Sequence, residues 1–427
     1  MKAKIRLDGE LLEDINVENG LRQGCCMAPV LFNLYTTLVI ERWQDQVADS
    51  EGGGGVAIQY KEDKKLFRRY TKNANKQKIS EGLFADDGVL LASSRSGAES
   101  AATMYQETTK KFGLTVNTSK TKHMVVGRET ISSDEEPLPV HGGTIESVKQ
   151  FLYLGSVVDV SGKVDEDVNR RITQASSAFG ALRKSVFMDR DLNLVTKRIV
   201  YQACVLSVLL YGSECWTLLK RQSRRLDAFH HRCIRSILGI TNHVQWTNHI
   251  TSDQLRQKWG DKETTTVKIA KRRLQWLGRL ARMPDSRMPK KILFGWLCQP
   301  RPKCGPKKRW RDAIRDDLKT IGVDEKEWYE VATTSRNAWR TVCNLGFENC
   351  TDTQASQQTT SPVYSVTCDT CQRTFRREGD KKRHKCIQER MKPTSQQRGA
   401  VHCSTCDRWF LSQGGFTVHV CRSQDQT

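Results

Sequence analysis

The chain has 427 residues, with 69 Lys plus Arg against 48 Asp plus Glu and a formal charge of +21. That length holds two or three domains with a sizeable core, and so basic a balance favours polyanions, either nucleic acid or an anionic membrane surface. No apolar run approaches the roughly 20 residues a membrane span needs, and the amino terminus does not read as a signal peptide. RNA or DNA is therefore the expected partner rather than a membrane, in an intracellular location (nucleus, cytoplasm or both). Of the 15 cysteines, nine scattered from Cys25 to Cys350 read as reduced thiols, and six fall at regular spacing in the last 60 residues.

Residues 1 to about 60 open with a turn at Asp8-Gly9, followed by Gly20-Leu-Arg-Gln-Gly-Cys-Cys26 and a helix to about Ala48. The glycine run Gly52 to Gly55 reads as a flexible break. From Ile79 to Ala92 the pattern is a β-hairpin with Asp86 and Asp87 at its apex and Gly88 supplying the turn. Vicinal side chains in a regular strand point to opposite faces, whereas at a turn they can converge. Two carboxylates held together are costly without a cation between them, which marks a candidate magnesium site. An Asp-Asp-Gly turn is equally ordinary surface hairpin chemistry. A helix through about Phe112, a strand from His123 to Val126, and a strand and turn at Phe151 to Gly155 come next, so this part reads as α+β.

From about Asp165 to Gly239 the apolar period becomes helical: Ile172, Ala175, Phe179, Leu182 and Val186, then Leu226, Phe229, Cys233 and Ile237. These stripes read as core, and His230 and His231 on the second of them as packing or surface. Between Lys268 and Asp312 there are 15 Lys or Arg and two acidic residues, with Trp276, Trp296 and Trp310 interspersed. Half of the ten prolines lie between Pro284 and Pro306, which predicts an extended arm bracketed by helices. Its basic side chains suit phosphates and its aromatics suit bases. A solvated basic helix anchored by its tryptophans is the alternative.

After a polar linker, Cys368-x2-Cys371-x12-His384-x-Cys386 recurs as Cys403-x2-Cys406-x12-His419-x-Cys421. A Cys-x2-Cys knuckle presents two thiolates from one turn, and a helix about twelve residues on returns an imidazole, so each repeat predicts one tetrahedral zinc, two Zn2+ per chain. His and the residue two beyond cannot both face inward from a regular helix, so each helix is expected to end at its histidine. Phe375 and Phe410 occupy equivalent mini-core slots, four residues after the second cysteine.

The order Leu21-Arg-Gln-Gly24, Phe84-Ala-Asp-Asp87, Gly113-Leu-Thr-Val-Asn117 with Lys120-Thr-Lys122, and Phe151-Leu-Tyr-Leu-Gly155 resembles non-LTR (LINE-like) retrotransposon reverse transcriptases. Leu210-Tyr-Gly-Ser-Glu214 and Arg309-Trp-Arg-Asp312 are similar to segments downstream of the polymerase domain in such elements. The resemblance implies a right-hand polymerase palm whose Asp86 and Asp87 match the metal-binding aspartates of a two-cation site, the cations being about 3.5–4 Å apart. It also implies template and nucleotide contacts at Arg22, Gln23 and Gly24, and a lysine near the pyrophosphate at Lys120, with Lys122 as runner-up. Phe151, Leu152, Tyr153, Leu154 and Gly155 match the primer grip. Cys25 and Cys26 receive no role.

The divisions implied are a partial palm at 1–160, a thumb-like helical region at 161–265, the basic arm and helices at 266–348, a linker at 349–366, zinc modules at 367–387 and 402–422, and a linker between them at 388–401. One feature of the family is missing: a further metal-binding aspartate on an upstream strand. Before Leu21 stand only Asp8 and Asp14, neither in an apolar strand context. The expected activity is thus an RNA-directed DNA polymerase fragment, truncated at its amino terminus and inactive alone, with Mg2+ bound only if the site is completed. The alternative is a non-enzymatic, zinc-dependent nucleic-acid-binding remnant. Oligomeric state is not legible.

Overall fold

The computed structural model of the chain describes residues 2–16, 20–21, 24–48, 54–61, 63–67, 74–126, 136–261, 263–298 and 308–358, with short strands at 366–367, 374–375, 401–403 and 408–410. The chain divides into two units, Met1–Asn349 and Cys350–Thr427.

The first unit begins with two small antiparallel pairs, β1 (Lys2–Ala3) with β4 (Ile15–Asn16) and β2 (Arg6–Leu7) with β3 (Glu10–Leu11). Asp8 (φ 50°) and Gly9 (φ 93°) make the turn between β2 and β3 in the left-handed region that tight hairpins require. Helix α1 (Ala28–Ala48) buries Val39, Ile40, Trp43 and Val47, whereas Val30, Leu31, Leu34 and Leu38 of its first half are exposed. Strands β5 (Val56–Tyr60) and β6 (Asn75–Ile79) pair antiparallel, and the hairpin of β7 (Glu81–Phe84) and β8 (Asp87–Leu90) leads into α2 (Arg95–Lys111). Helix α2 packs on α1: Trp43 donates its indole N–H to the Ala101 carbonyl at 3.1 Å and meets Tyr105 edge to face.

Of the run Gly52 to Gly55 expected to be a flexible break, Gly54 and Gly55 are buried instead, and Gly52 and Gly53 lie outside the described residues. A Cβ on Gly54 would fall 2.8 Å from the Ala101 Cβ, so the glycine permits a close approach to α2. The strand expected from His123 to Val126 is confined to β9 (Lys122–His123), which pairs parallel with β11 (Gly143–Ser147); β10 (Leu138–Val140) pairs antiparallel with the other part of β11. Next, β12 (Gln150–Tyr153) and β13 (Ser156–Asp159) form a hairpin.

The helical part starts at α3 (Asp165–Leu182), continues through a π-helical stretch at Arg183–Phe187, and proceeds with α4 (Leu194–Val200), another π stretch at Tyr201–Leu206, α5 (Ser207–Leu209) and α6 (Lys220–Ile237). The periodic residues read from the sequence pack as expected: Ala175, Leu226, Phe229, Cys233 and Ile237 are buried in one cluster, with Ile172, Phe179, Leu182 and Val186 against it. Gly239 takes φ 68° just beyond α6, in the left-handed conformation that ends a helix. Short helices α7 (Asn242–Thr247) and α8 (Ser252–Trp259) come after it, the latter opened by a reciprocal Thr251–Gln254 capping box.

A second core joins α9 (Thr265–Ala281), α10 (Met288–Phe294), α11 (Trp310–Thr320), α12 (Trp328–Thr334) and α13 (Arg336–Gln358) around Leu274, Leu277, Ile314, Leu318, Trp328 and Trp339. Strand β14 (Trp296–Leu297) adds to the free edge of β5, tying this segment to the amino-terminal part. Of the described residues in 268–312, about two thirds lie in α9, α10 and the start of α11, packed on this core, so part of the stretch expected to be an extended arm between bracketing helices is itself folded, as α10 and β14. The proline-rich 299–307 lies outside the described residues.

His230 sits 1 % exposed in the first core, its Nδ1 2.8 Å from the Tyr201 hydroxyl and its Nε2 without a partner among the described residues. Burial, with nearby Lys268, lowers its pKa to about 3. An unfolded histidine titrates near 6.5, so between about pH 6.5 and 3 the unfolded chain binds a proton that the folded chain does not, and stability falls as pH falls. The ceiling on this slope is about 1.4 kcal/mol per pH unit. Urea denaturation from pH 7 to 4 should show the parent losing stability more steeply than His230→Gln; parallel curves would refute the assignment.

Candidate functional site

The aspartate hairpin forms in the register Phe84↔Asp87, Leu83↔Gly88, Gly82↔Val89 and Glu81↔Leu90. The turn is thus Ala85-Asp86, with Ala85 at φ 54°, and Gly88 lies within β8 rather than in the turn where its residue type placed it. Directly opposed residues share a face of a hairpin. The face holding Glu81, Gly88 and Leu90 looks toward the helices: Gln44 donates to Glu81 at 2.6 Å, Leu90 packs beside Trp43, and a Cβ on Gly88 would be 3.7 Å from the Tyr105 hydroxyl. Asp87 and Phe84 occupy the other face, and both aspartates are exposed.

Burial raises the Tyr153 phenol above its ordinary pKa, and the charge of Asp87 adds to the effect, so Tyr153 lies in the field of Asp87. The β12–β13 turn is Leu154 (φ 47°) and Gly155 (φ 81°), two consecutive left-handed residues. Tyr211 donates its hydroxyl to the Leu154 carbonyl at 3.1 Å, and its ring covers Gly155, whose Cβ would be 3.4 Å away. The buried Arg171 guanidinium lies 4.3 Å over the Tyr211 ring and donates to the Gly155 carbonyl. Behind it, buried Asp167 accepts from the Val157 N–H at 3.0 Å and the Trp216 indole at 2.7 Å, and pairs with Arg171 at 3.9 Å.

The two later motifs meet here. Arg272 donates to the Leu210 carbonyl at 2.6 Å, and the Trp310 indole to the Glu214 carbonyl at 2.7 Å. Leu210–Glu214 is therefore the link between the Phe151–Gly155 hairpin and the helices from Arg272 to Asp312. Asp167, Arg171 and Trp216 are not singled out by the sequence. The available signal is the i, i+4 spacing of Asp167 and Arg171 on α3, but an acidic first turn of Asp165, Glu166 and Asp167 reads as ordinary complement to a helix dipole.

The remaining expected residues are dispersed. Lys120 is exposed in the turn before β9, where Asn117 Oδ1 accepts from its backbone N–H at 3.2 Å; no side-chain contact joins it to the aspartates among the described residues. Lys122 pairs with Glu146 at 2.6 Å. Gly24 is exposed at φ 85°, and Arg22 and Gln23 lie outside the described residues. Asp8 is in an exposed turn, and Asp14 is held by Lys2 and Lys4 at 3.1 Å each. Among the described residues no group of three or more His, Cys, Asp or Glu gathers to hold a metal, so the Asp86–Asp87 pair does not by itself fit a two-cation centre.

The expected zinc ligands Cys368, Cys371, His384, Cys386, Cys406, His419 and Cys421 lie outside the described residues; Cys403 ends a strand. Strands β15 (Val366–Thr367) and β16 (Thr374–Phe375) pair as Val366↔Phe375, and β17 (Val401–Cys403) and β18 (Arg408–Phe410) as Val401↔Phe410. Each pair brackets its own Cys-x2-Cys segment, and the two repeats share one register.

Many basic residues of 268–312 are engaged internally. Lys268 and Lys271 pair with Asp261 and Glu263, Arg273 with Asp317 at 2.8 Å, and Lys290 with Asp285 at 2.8 Å. Arg282 donates to the Ala332 carbonyl, and Arg311 to those of Leu293 and Gly295. Burial lowers the Arg311 pKa to about 10. It raises the Asp317 carboxyl to about 6 against the opposing pull of Arg273.

Residues 1–158 match the reverse transcriptase (RNA-dependent DNA polymerase) family, a stretch that ends within β13 and includes both hairpins. An uncharacterized transposon-derived protein of Caenorhabditis elegans is 28% identical over 274 residues, which is 58% of this chain and 93% of that protein. A Drosophila melanogaster protein whose name describes an RNA-directed DNA polymerase from transposon BS is 25% identical over 244 residues, 53% of this chain but 26% of its own length. These likenesses support a retrotransposon reverse transcriptase, and such a domain implies nucleic acid as substrate. No described helix is long and apolar enough to cross a membrane.

Removing Tyr211 deletes one hydrogen bond and the surface under Arg171, together worth roughly 1–3 kcal/mol. Tyr211→Ala should raise amide exchange across residues 150–159 and Tyr211→Phe should do so less; unchanged exchange in both variants would show that the turn holds itself.

Proposed function

We propose that the chain derives from a non-LTR retrotransposon reverse transcriptase and that, as a polypeptide of this sequence, it binds nucleic acid without extending a primer. The observation that carries the reading is the match of residues 1–158 to the reverse transcriptase family, a stretch that contains the exposed Asp86–Asp87 turn and the Tyr153 hairpin. In this reading residues 1–160 form a partial palm, with Asp86 and Asp87 its metal carboxylates, Lys120 its phosphate lysine, Arg22, Gln23 and Gly24 its template and nucleotide contacts, and Phe151–Gly155 its primer grip. Residues 161–265 form the thumb. Phosphoryl transfer depends on positioning and charge neutralisation by cations held from several sides. Two carboxylates leave such a pair under-coordinated, and Asp8 and Asp14 are engaged in a turn and in lysine pairs.

Purified protein, given a primed RNA or DNA template, Mg2+ and deoxynucleotides, should make no extension product. Synthesis that disappears in Asp86→Ala would overturn this.

The two carboxy-terminal repeats are proposed as zinc modules, each ion held by Cys368, Cys371, His384 and Cys386 or by Cys403, Cys406, His419 and Cys421. Support comes from the matching registers of the two hairpins around the two Cys-x2-Cys segments. Thiolates and imidazole in a tetrahedral set are the donors zinc prefers. Metal analysis of the purified chain should find two zinc ions, and Cys371→Ser should remove one; a chain with one ion or none is incompatible with the repeat.

A further inference from the structure

We infer that the exposed face of α1 is a contact surface for a second copy of this chain, the two helices crossing antiparallel about a two-fold axis. The inference draws on neither polymerase chemistry nor nucleic-acid binding. Val39, Ile40, Trp43 and Val47 bury one side of α1. The opposite side carries Met27, Leu31, Leu34 and Leu38, each 45–61 % exposed. Met27 precedes the helix, but its carbonyl accepts from the Leu31 N–H at 3.0 Å, so it already belongs to the first turn. The four residues are spaced by four, three and four, which is the alternation of a coiled-coil seam, and exposed Val30 flanks it.

The chemistry of the seam selects its partner. Residues 24–40 contain no Lys, Arg, Asp or Glu in a chain of formal charge +21, so this stretch offers nothing to a phosphate backbone. Helices that lie on membranes carry several cations on their polar face, whereas Ala28–Ala48 has one, Arg42, beside Glu41 and Asp45. An apolar protein surface is the remaining partner, and a seam repeating every 3.5 residues is matched by a helix of the same spacing. Among the described residues no other helix presents four exposed large apolar side chains at this spacing, so the matching surface is α1 of another copy. Five side chains that each give up roughly 100 Å2 remove roughly 1,000 Å2 from two copies together, which reaches the lower bound of a specific interface.

The charges beyond the seam set its direction. Three and seven residues past Leu38 on the same side stand Glu41 and Asp45, both exposed. Parallel helices in register would bring each of them against its own counterpart, like charge on like. Antiparallel helices centred between Leu31 and Leu34 instead pair Leu31 with the partner's Leu34 and Met27 with the partner's Leu38, each contact occurring twice by symmetry. Both carboxylates then lie outside the apolar contact.

The test is sedimentation velocity on the full chain at 20 μM after nuclease treatment, in 0.5 M KCl to screen the repulsion between two strongly positive copies. The parent should sediment with twice the mass of one chain. Leu34→Glu and Leu31→Lys, each measured alone, should sediment with the mass of one chain and with unchanged melting temperatures, as both sites lie outside the core. Mixed in equal amounts, these two variants should recover the doubled mass, because the antiparallel crossing sets the introduced charges opposite each other. A control at another exposed apolar pair, Val195→Glu with Ile199→Glu on α4, should associate like the parent. The inference falls if the parent is a monomer, if Leu34→Glu still associates, if the mixture stays monomeric, or if the α4 control dissociates as well. Neither nucleic acid nor catalysis is read, so failure here is separate from the outcome of the primer-extension assay.

Discussion

Asp167 is 3 % exposed, and a carboxylate so deeply buried is tolerable only if its oxygens are supplied with donors. The Val157 amide and the Trp216 indole supply them and the Arg171 guanidinium adds an opposite charge at 3.9 Å; these come from β13, the segment before α6, and α3 itself. Removing any one would leave the others around an incompletely solvated charge. The strand-rich first part and the helical second part are therefore joined at a point where neither can shift without exposing an unsatisfied ion. Arg171, fixed by Asp167 and by the ring of Tyr211, also donates to the Gly155 carbonyl, so the position of the Tyr153 hairpin beside Asp87 depends on the same buried charge.

The distribution of cations has a similar logic. A net charge of +21 invites the view that the densest basic segment is the binding surface, yet that segment uses its lysines and arginines as mortar. Arg273 reaches Asp317 across α9 and α11, Arg311 gathers carbonyls at the end of α10, and Arg272 and Trp310 hold the loop containing Tyr211. Guanidinium groups suit this task because a planar fork of donors satisfies several carbonyls from one buried position. Density of charge in the sequence and availability of charge at the surface are thus different quantities in this chain.

Several elements are legible in the sequence because they depend on local pattern. The apolar periods of α3 and α6, the helix from Ala28 to Ala48 and the Asp8-Gly9 turn each come from side-chain spacing or turn chemistry within a few residues. The turn at Ala85-Asp86 is masked by the glycine close to it. Glycine is the usual occupant of a left-handed site, but here Ala85 adopts that conformation and Gly88 lies in the strand. Gly54 misleads for the opposite reason: what looks like freedom is contact, imposed by the side chain of Ala101 from a helix over forty residues away.

The sequence by itself determined the order of motifs, the paired aspartates, the excess of positive charge and the repeated cysteine–histidine spacing, because these are properties of residue identity and interval. Only the tertiary structure decided that Tyr153 stands in the field of Asp87, that Tyr211 and Arg171 hold its hairpin, and that Arg224, Arg225 and Arg232 of α6 face solvent while Arg272, Arg273 and Arg311 reach carbonyls or a carboxylate of the protein. Long-range pairing fixes those facts. An arginine's side chain reaches the same distance in every context, and whether it meets a carboxylate, a carbonyl or water depends on what the fold brings within that reach.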